Sequence, residues 1–144
     1  MNTIICGVDG SPGARAGLRV AATLAEVMDA RLVAVHVLDR LIGGADGAER
    51  TAEKILYDEL PDSAAEARGE VGDVAERLAA VAREEQATLI VLGARSRGRS
   101  RSYLRARCAA ELSELTTVPI VVAPVQQAAL ATRRPRFSPK EAHR

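Results

Sequence analysis

The stretch TIICGVDGSPG, residues 3–13, decides how this chain is expected to fold. Thr3–Asp9 is almost entirely apolar and ends in turn residues, which is typical of a strand buried on both faces of a parallel sheet. Ser11 can cap a helix, and Pro12 suits the first helical turn. Apolar residues then recur at helical spacing as far as about Asp29. The stretch therefore predicts a buried strand that leads directly into a helix.

The same alternation continues along the chain. Four further apolar or β-branched runs predict strands: Arg31–Val37, AAEARGEVG (64–72), Ala87–Gly93 and PIVVAP (119–124). Three helices are predicted between them: a short one through Lys54 and Leu60 after a glycine-rich link over 41–50, one that Asp73 caps, and one that contains Leu112. Right-handed crossovers between parallel strands place helices on both faces of the sheet, so this order predicts a doubly wound α/β fold.

Length and composition favour one domain. The chain has 144 residues, of which 47% are hydrophobic and 2% aromatic, so its core must be built from Ala, Val, Leu and Ile. Residues 1–125 are predicted to form the domain. The basic tail over 126–144 contains two prolines and only one aromatic residue, and we expect it to be flexible.

Charge and cysteine content exclude several classes of function. The net charge of +1 requires neither a nucleic acid nor a membrane as a partner. The start of the chain lacks the apolar segment of a signal peptide, which predicts a cytoplasmic location. Cys6 and Cys108 have no CxxC or metal-ligand spacing, so they are expected to be small apolar residues of the core.

A ligand crevice is expected at the carboxyl ends of the strands, where the winding direction of an open parallel sheet reverses. This rule places Asp9, Val37 and the loop after Leu92 around one crevice. The Asp9 carboxylate could accept hydrogen bonds there from a ligand hydroxyl or amine, and the sequence alone leaves that role open.

Motifs for catalysis and for dinucleotide binding are missing. Gly7, Gly10 and Gly13 do not form GxGxxG, and a capped strand-to-helix turn explains them. No GxSxG elbow or carboxylate pair is found, and His36 is interpreted as a residue at the end of a strand. The sequence therefore predicts a protein that is not an enzyme.

Several motifs together resemble the universal stress protein family. They are VDGS after the first strand, VHV at the end of the second, and LIVLGARSRG leading to the final PIVVAP, and the resemblance covers residues 1–125. It implies a three-layer α/β/α sandwich with a five-stranded parallel sheet in the order 3-2-1-4-5. It also implies a stress-response regulator that forms a homodimer through its last strand and acts on a protein partner of unknown identity.

The resemblance further implies a nucleotide site for ATP. Asp9 and Val37 would lie against the ribose and adenine, as in members of the family that bind nucleotides. The glycine-rich phosphate motif of those members falls on Gly93, Ser96, Ala106 and Arg107. Only the first of these is the residue that the motif requires, so ordinary ATP binding is expected to be impaired.

Six arginines crowd the same stretch: Arg95, Arg97, Arg99, Arg101, Arg105 and Arg107. Three interpretations stay open. The stretch is a solvated surface without a ligand, an altered anion or nucleotide site in which arginines replace the lost glycines, or a weak contact for nucleic acid. Nucleic acid ranks last, because the stretch has only Tyr103 to stack on bases.

Overall fold

The structure is a computed structural model that describes residues 2–94 and 100–124, without the side chains of residues 100–107. Its strands are β1 (Asn2–Gly7), β2 (Ala30–Leu38), β3 (Glu66–Val71), β4 (Leu89–Gly93) and β5 (Ile120–Ala123). Its helices are α1 (Pro12–Met28), α2 (Ala45–Glu59), α3 (Val74–Glu84) and α4 (Ser100–Leu115). The predicted order of alternating strands and helices is confirmed.

The strands form one parallel sheet in the order β3-β2-β1-β4-β5, as predicted. Two apolar clusters cover its two faces. Ile4 and Cys6 of β1 face a cluster that contains residues of α1 and α2, whereas Ile5 packs with residues of α3 and α4. The helices therefore lie in pairs on opposite faces, and the chain is the predicted three-layer sandwich.

The predicted helix caps are present. The Ser11 hydroxyl accepts a hydrogen bond from the backbone N–H of Ala14 at 3.2 Å, and Pro12 is the first residue of α1. The Asp73 carboxylate accepts one from the N–H of Glu76 at 3.0 Å at the start of α3. Each cap satisfies a backbone donor that the first helical turn leaves without a partner.

Helix α2 is longer than predicted. It begins at Ala45, so half of the segment expected to be a glycine-rich link is helical. Ala48 and Ala52 are fully buried where α2 lies on the sheet. A methyl group on Gly69 of β3 would overlap the backbone of Ala45 and Glu49, so the helix rests directly on the strand. Burial of small residues in this contact outweighs the low helix propensity of the glycines.

Two predicted features lie outside the described residues, in whole or in part: the tail over 126–144, and residues 95–99 of the arginine-rich stretch together with the side chains of residues 100–107. Within residues 2–94 and 100–124, no helix combines the length and the apolar character that a membrane span requires. Cys6 is buried in the core as expected, whereas Cys108 is only half-buried. Burial raises the pKa of the Cys6 thiol to about 12, so this thiol stays protonated.

Candidate functional site

A cavity of about 430 Å³ opens at the carboxyl ends of β1, β2 and β4. We refer to it as the crevice. It lies where the central strand β1 separates the two halves of the sheet, which is the position at which open α/β sheets bind ligands. The described residues that line it are Gly7, Val8, Asp9, Ala14, Val35, Val37, Ile42, Val74, Leu78, Leu92, Gly93 and Cys108. Three predicted site residues, Asp9, Val37 and Gly93, therefore line one cavity.

The turn between β1 and α1 fixes the position of Asp9. One carboxylate oxygen of Asp9 accepts a hydrogen bond from the Ser11 N–H at 3.0 Å. Gly10 has φ +79, a conformation that favours glycine, and its carbonyl accepts a bond from the Arg15 side chain at 3.2 Å. A carboxylate can accept from several donors, so a ligand hydroxyl is a suitable further donor to this held group.

Gly93 ends β4 against helix α1. A methyl group on Gly93 would overlap the carbonyl group of Gly13, and one on Gly17 would lie 3.0 Å from the Gly93 nitrogen. The close approach of helix and strand therefore requires glycine at position 93. This reason is independent of any contact with phosphate.

His36 lies in β2 between Val35 and Val37, which line the crevice, but does not line it itself. Its Nδ1 is 2.7 Å from the carbonyl oxygen of Val8, and because a carbonyl only accepts, this nitrogen donates the hydrogen. Val8 also donates its N–H to the Val35 carbonyl at 2.9 Å. The imidazole thus ties the end of β2 to the end of β1, which agrees with the interpretation of His36 as a strand-end residue.

The predicted phosphate side of the site is described only in part. Ala106 and Arg107 lie in α4, directly before Cys108, and their side chains are outside the description. Arg95 and Ser96 lie outside the described residues altogether. Their roles at a phosphate group stay predictions.

Ile42, Val74 and Cys108 are among the residues that sequence reasoning did not place in the crevice. Ile42 was assigned to a glycine-rich link, Val74 to the apolar face of a helix, and Cys108 to the core. The sequence holds a weak signal for Ile42, since an apolar Leu-Ile pair before two glycines is unusual in a polar loop, but this pair does not show which way either side chain points.

An ion-pair network lies away from the crevice, on the α3 side of β3. The Glu70 carboxylate, which is largely buried, accepts hydrogen bonds from Arg77 at 3.0 Å and from Arg68 at 3.1 Å. Burial alone would raise the pKa of Glu70, but the hydrogen bonds and charges of Arg77 and Arg68 outweigh it, and the pKa lies below its ordinary value. Arg68 also pairs with Glu84 and Glu85, which joins the edge strand to the end of α3.

Metal binding has no support in the part of the chain that is described. No group of three or more His, Cys, Asp or Glu side chains there could hold an ion. The chemistry that the described lining residues offer is therefore that of aliphatic walls, one carboxylate and one thiol.

The strand order and a crevice at the reversal point define an open-sheet α/β protein with a cavity where folds of this class bind their ligands. The chain belongs to the universal stress protein family, whose sequence model matches residues 1–124. A comparison with curated proteins gave no significant match.

Solved structures show the same fold. A universal stress family protein from Burkholderia pseudomallei is 28% identical, with a TM-score of 0.62, and the match covers 85% of this chain and 96% of that one. A universal stress protein in complex with cAMP is 18% identical, with a TM-score of 0.65 and coverage of 86% and 97%. The Archaeoglobus fulgidus protein in complex with dAMP is 20% identical, with a TM-score of 0.57 and coverage of 85% and 97%.

Proposed function

We propose that this protein is a non-enzymatic stress-response regulator whose crevice binds the adenosine part of an adenine nucleotide. The observation that carries the proposal is the single cavity that Asp9, Val37 and Gly93 line at the reversal point of the sheet. Its volume of about 430 Å³ falls within the range of small-molecule sites, roughly 300–1,000 Å³.

The chemistry of the walls suits a nucleoside. Val8, Val37 and Leu92 offer apolar surface to a base, and Asp9 offers an acceptor to the ribose hydroxyls at the rim. Two structures with the same fold were solved in complex with cAMP and with dAMP, and each of these ligands contains an adenine base and one phosphate. The similarity of this chain to both structures supports an adenine nucleotide as its ligand.

We propose that the β- and γ-phosphates add little to affinity. Of the four motif positions, Gly93 is the only glycine, and its packing against Gly13 is sufficient reason for a glycine there. Ala106 and Arg107 replace the glycine and the hydroxyl that would contact phosphate oxygens. Binding energy then comes from the nucleoside half.

The alternative is a nucleotide sensor in which Arg95, Arg107 and their neighbours bind the phosphates. Its support is the density of arginines over residues 95–107, next to the start of α4 at Ser100. In that case ATP would bind much more tightly than AMP, and salt would weaken ATP binding most.

Calorimetric titrations of adenosine, AMP and ATP with Mg²⁺, at low and high salt, test the two functions. The proposal predicts dissociation constants within about fivefold of one another, a difference of about 1 kcal/mol. ATP binding more than about 100-fold tighter than AMP, and lost in Arg107→Ala, would establish the sensor instead. No binding of any of the three would contradict both.

We propose no catalytic step. The described walls of the crevice are glycine or aliphatic apart from Asp9 and Cys108, and His36 is engaged with the Val8 carbonyl. ATP incubated with the protein should be hydrolysed no faster than ATP alone. Hydrolysis that depends on Asp9 would overturn this part of the proposal.

We also propose that the protein acts in the cytoplasm as a homodimer joined through β5. This strand is an edge of the sheet, and Val122 on it is half-exposed. An apolar edge strand needs a partner or a cover, and a second copy supplies one.

A further inference from the structure

We propose that Leu41 and Ile42 form an apolar cover that closes over the base of a bound nucleoside, an inference that rests on the function proposed above. Ile42 lines the crevice although 75% of it is exposed, and 94% of Leu41 is exposed. Val74 lies on the same crevice and is 44% exposed. Ile42 is therefore an apolar side chain of the crevice that is still largely in water, and Leu41, which does not line the crevice itself, precedes it in the same exposed turn.

The segment that carries the cover is a preformed turn. The Asp39 carboxylate accepts a hydrogen bond from the Leu41 N–H at 2.9 Å, and the Asp39 carbonyl accepts one from the Ile42 N–H at 3.0 Å. The Leu38 carbonyl accepts from the Gly72 N–H at 2.9 Å, which anchors the end of β2. Residues 39–42 can thus move as one unit on a fixed base.

Two glycines on the other side of the turn supply a hinge. A methyl group on Gly44 would meet no atom within 4 Å, so open space surrounds this residue. Gly44 precedes α2 as its N-cap, and its carbonyl accepts a hydrogen bond from the Ala48 N–H at 3.1 Å. Rotation at Gly43 and about the N–Cα bond of Gly44 leaves this hydrogen bond in place. Gly43 and Gly44 can therefore change backbone angles at low cost while α2 stays in place.

The crevice needs such a cover because its described walls offer no aromatic platform. None of the described residues that line it is aromatic, and the whole chain holds only two Tyr, one Phe and no Trp. The base must then be held between aliphatic surfaces. Ile42 and Leu41 lose water contact only when a base is present, so they contribute to affinity in proportion to the base area they cover.

This mechanism makes the cover a determinant of specificity. A purine offers more apolar surface than a pyrimidine, and the cover gains more from contact with it. The ligand class is therefore purine nucleosides and their monophosphates. The preference for adenosine over uridine should depend on residues 41 and 42.

The test compares Ile42→Ser and the double variant Leu41→Ser/Ile42→Ser with the wild type. Val27→Ser is the matched control, since Val27 is 79% exposed on α1 and does not line the crevice. The fluorescent nucleoside 2-aminopurine riboside is the probe, with equilibrium titration and stopped-flow dissociation. Equal thermal unfolding midpoints would show that the surface exchanges leave the fold intact.

We expect Ile42→Ser to raise the dissociation constant about tenfold, mostly through faster dissociation, with the association rate nearly unchanged. The double variant should lose more affinity, and its preference for adenosine over uridine should fall. Ile42→Leu should keep the affinity and the preference of the wild type. Val27→Ser should bind as the wild type does. Unchanged binding in both serine variants would overturn the cover and leave the proposed function standing, whereas a wild type that binds no nucleoside would overturn both.

Discussion

The backbone of Gly93 at the end of β4 lies in direct contact with the backbone of Gly13 in α1, with no room for a side chain between them. The contact brings the start of α1 against β4 at the edge of the crevice. It explains why this glycine is present while the other positions of the family's phosphate motif hold Ser96, Ala106 and Arg107. Packing requires glycine at 93 whether or not a phosphate binds.

Gly93→Ala should therefore destabilise the protein. The added methyl group would overlap main-chain atoms, which cannot rotate away, and we expect a loss of about 3 kcal/mol in the free energy of unfolding. Gly47→Ala is the control, because a methyl group there meets nothing within 4 Å and Gly47 lies in α2. Gly47→Ala should raise the free energy of unfolding by about 0.5–1 kcal/mol. Urea unfolding measures both, and similar effects at the two positions would contradict the packing argument.

Asp9→Asn should weaken adenosine binding about tenfold. Asparagine keeps an oxygen that can accept the Ser11 N–H, so the turn is retained, while the stronger hydrogen bonds of a charged acceptor to ribose are lost. Binding of 9-methyladenine, which has no ribose, should not change. Asp29→Asn is the matched control, because Asp29 follows α1 at the start of β2, does not line the crevice, and has a left-handed backbone that asparagine also adopts. An equal loss of affinity for adenosine and for 9-methyladenine would contradict the assignment of Asp9 to the ribose site.

Glu70 should make stability depend on pH in the acid range. Its pKa is lowered in the folded protein, so its contribution is present above the ordinary glutamate value of about 4.3 and is lost as the pH falls through the folded value. Glu70→Gln should cost about 1–2 kcal/mol at pH 7, because two arginines lose a charged acceptor. Urea unfolding from pH 7 to pH 3 should show the two curves converging as the pH falls. A constant difference across that range would mean that the charge of Glu70 is not involved.

Val122→Lys should separate the proposed dimer into monomers. Half of Val122 is exposed on the edge strand β5, and a lysine from each copy would place like charges at the joined edges. Val27→Lys, the same exchange at an exposed position of α1, should leave the dimer intact. Analytical ultracentrifugation distinguishes the two species. A wild type that sediments as a monomer would contradict the dimer itself.

Much of the fold could be predicted because its signals are local. Buried strands are visible in the sequence as short apolar runs. Ser11 and Asp73 directly precede the helical segments, which is the position of an N-cap. The start of α2 could not be predicted, because Gly44 and Gly47 favour a loop, whereas the contact of α2 with Gly69 of β3 favours a helix from Ala45 onward. That contact joins residues distant in the sequence.

The crevice could be predicted in outline for a similar reason. The topology of a parallel sheet brings Asp9, Val37 and Gly93 to one edge once the strands are known. Ile42 and Cys108 could not be assigned to the crevice from the sequence, because a side chain in a loop or on a helix has no strand register to fix its direction. The partners of Arg68, which lie on β3 and at the end of α3, likewise depend on how these elements pack.

Protection of Cys108 by adenosine tests the central claim most directly. Cys108 lines the crevice, whereas Cys6 is fully buried and its pKa is raised to about 12, so a thiol reagent should modify Cys108 alone. Saturating adenosine should slow modification at least about tenfold, uridine should slow it less, and Cys108→Ala should abolish the signal. Modification of Cys108 at the same rate with and without adenosine would contradict the assignment of this crevice as the nucleoside site.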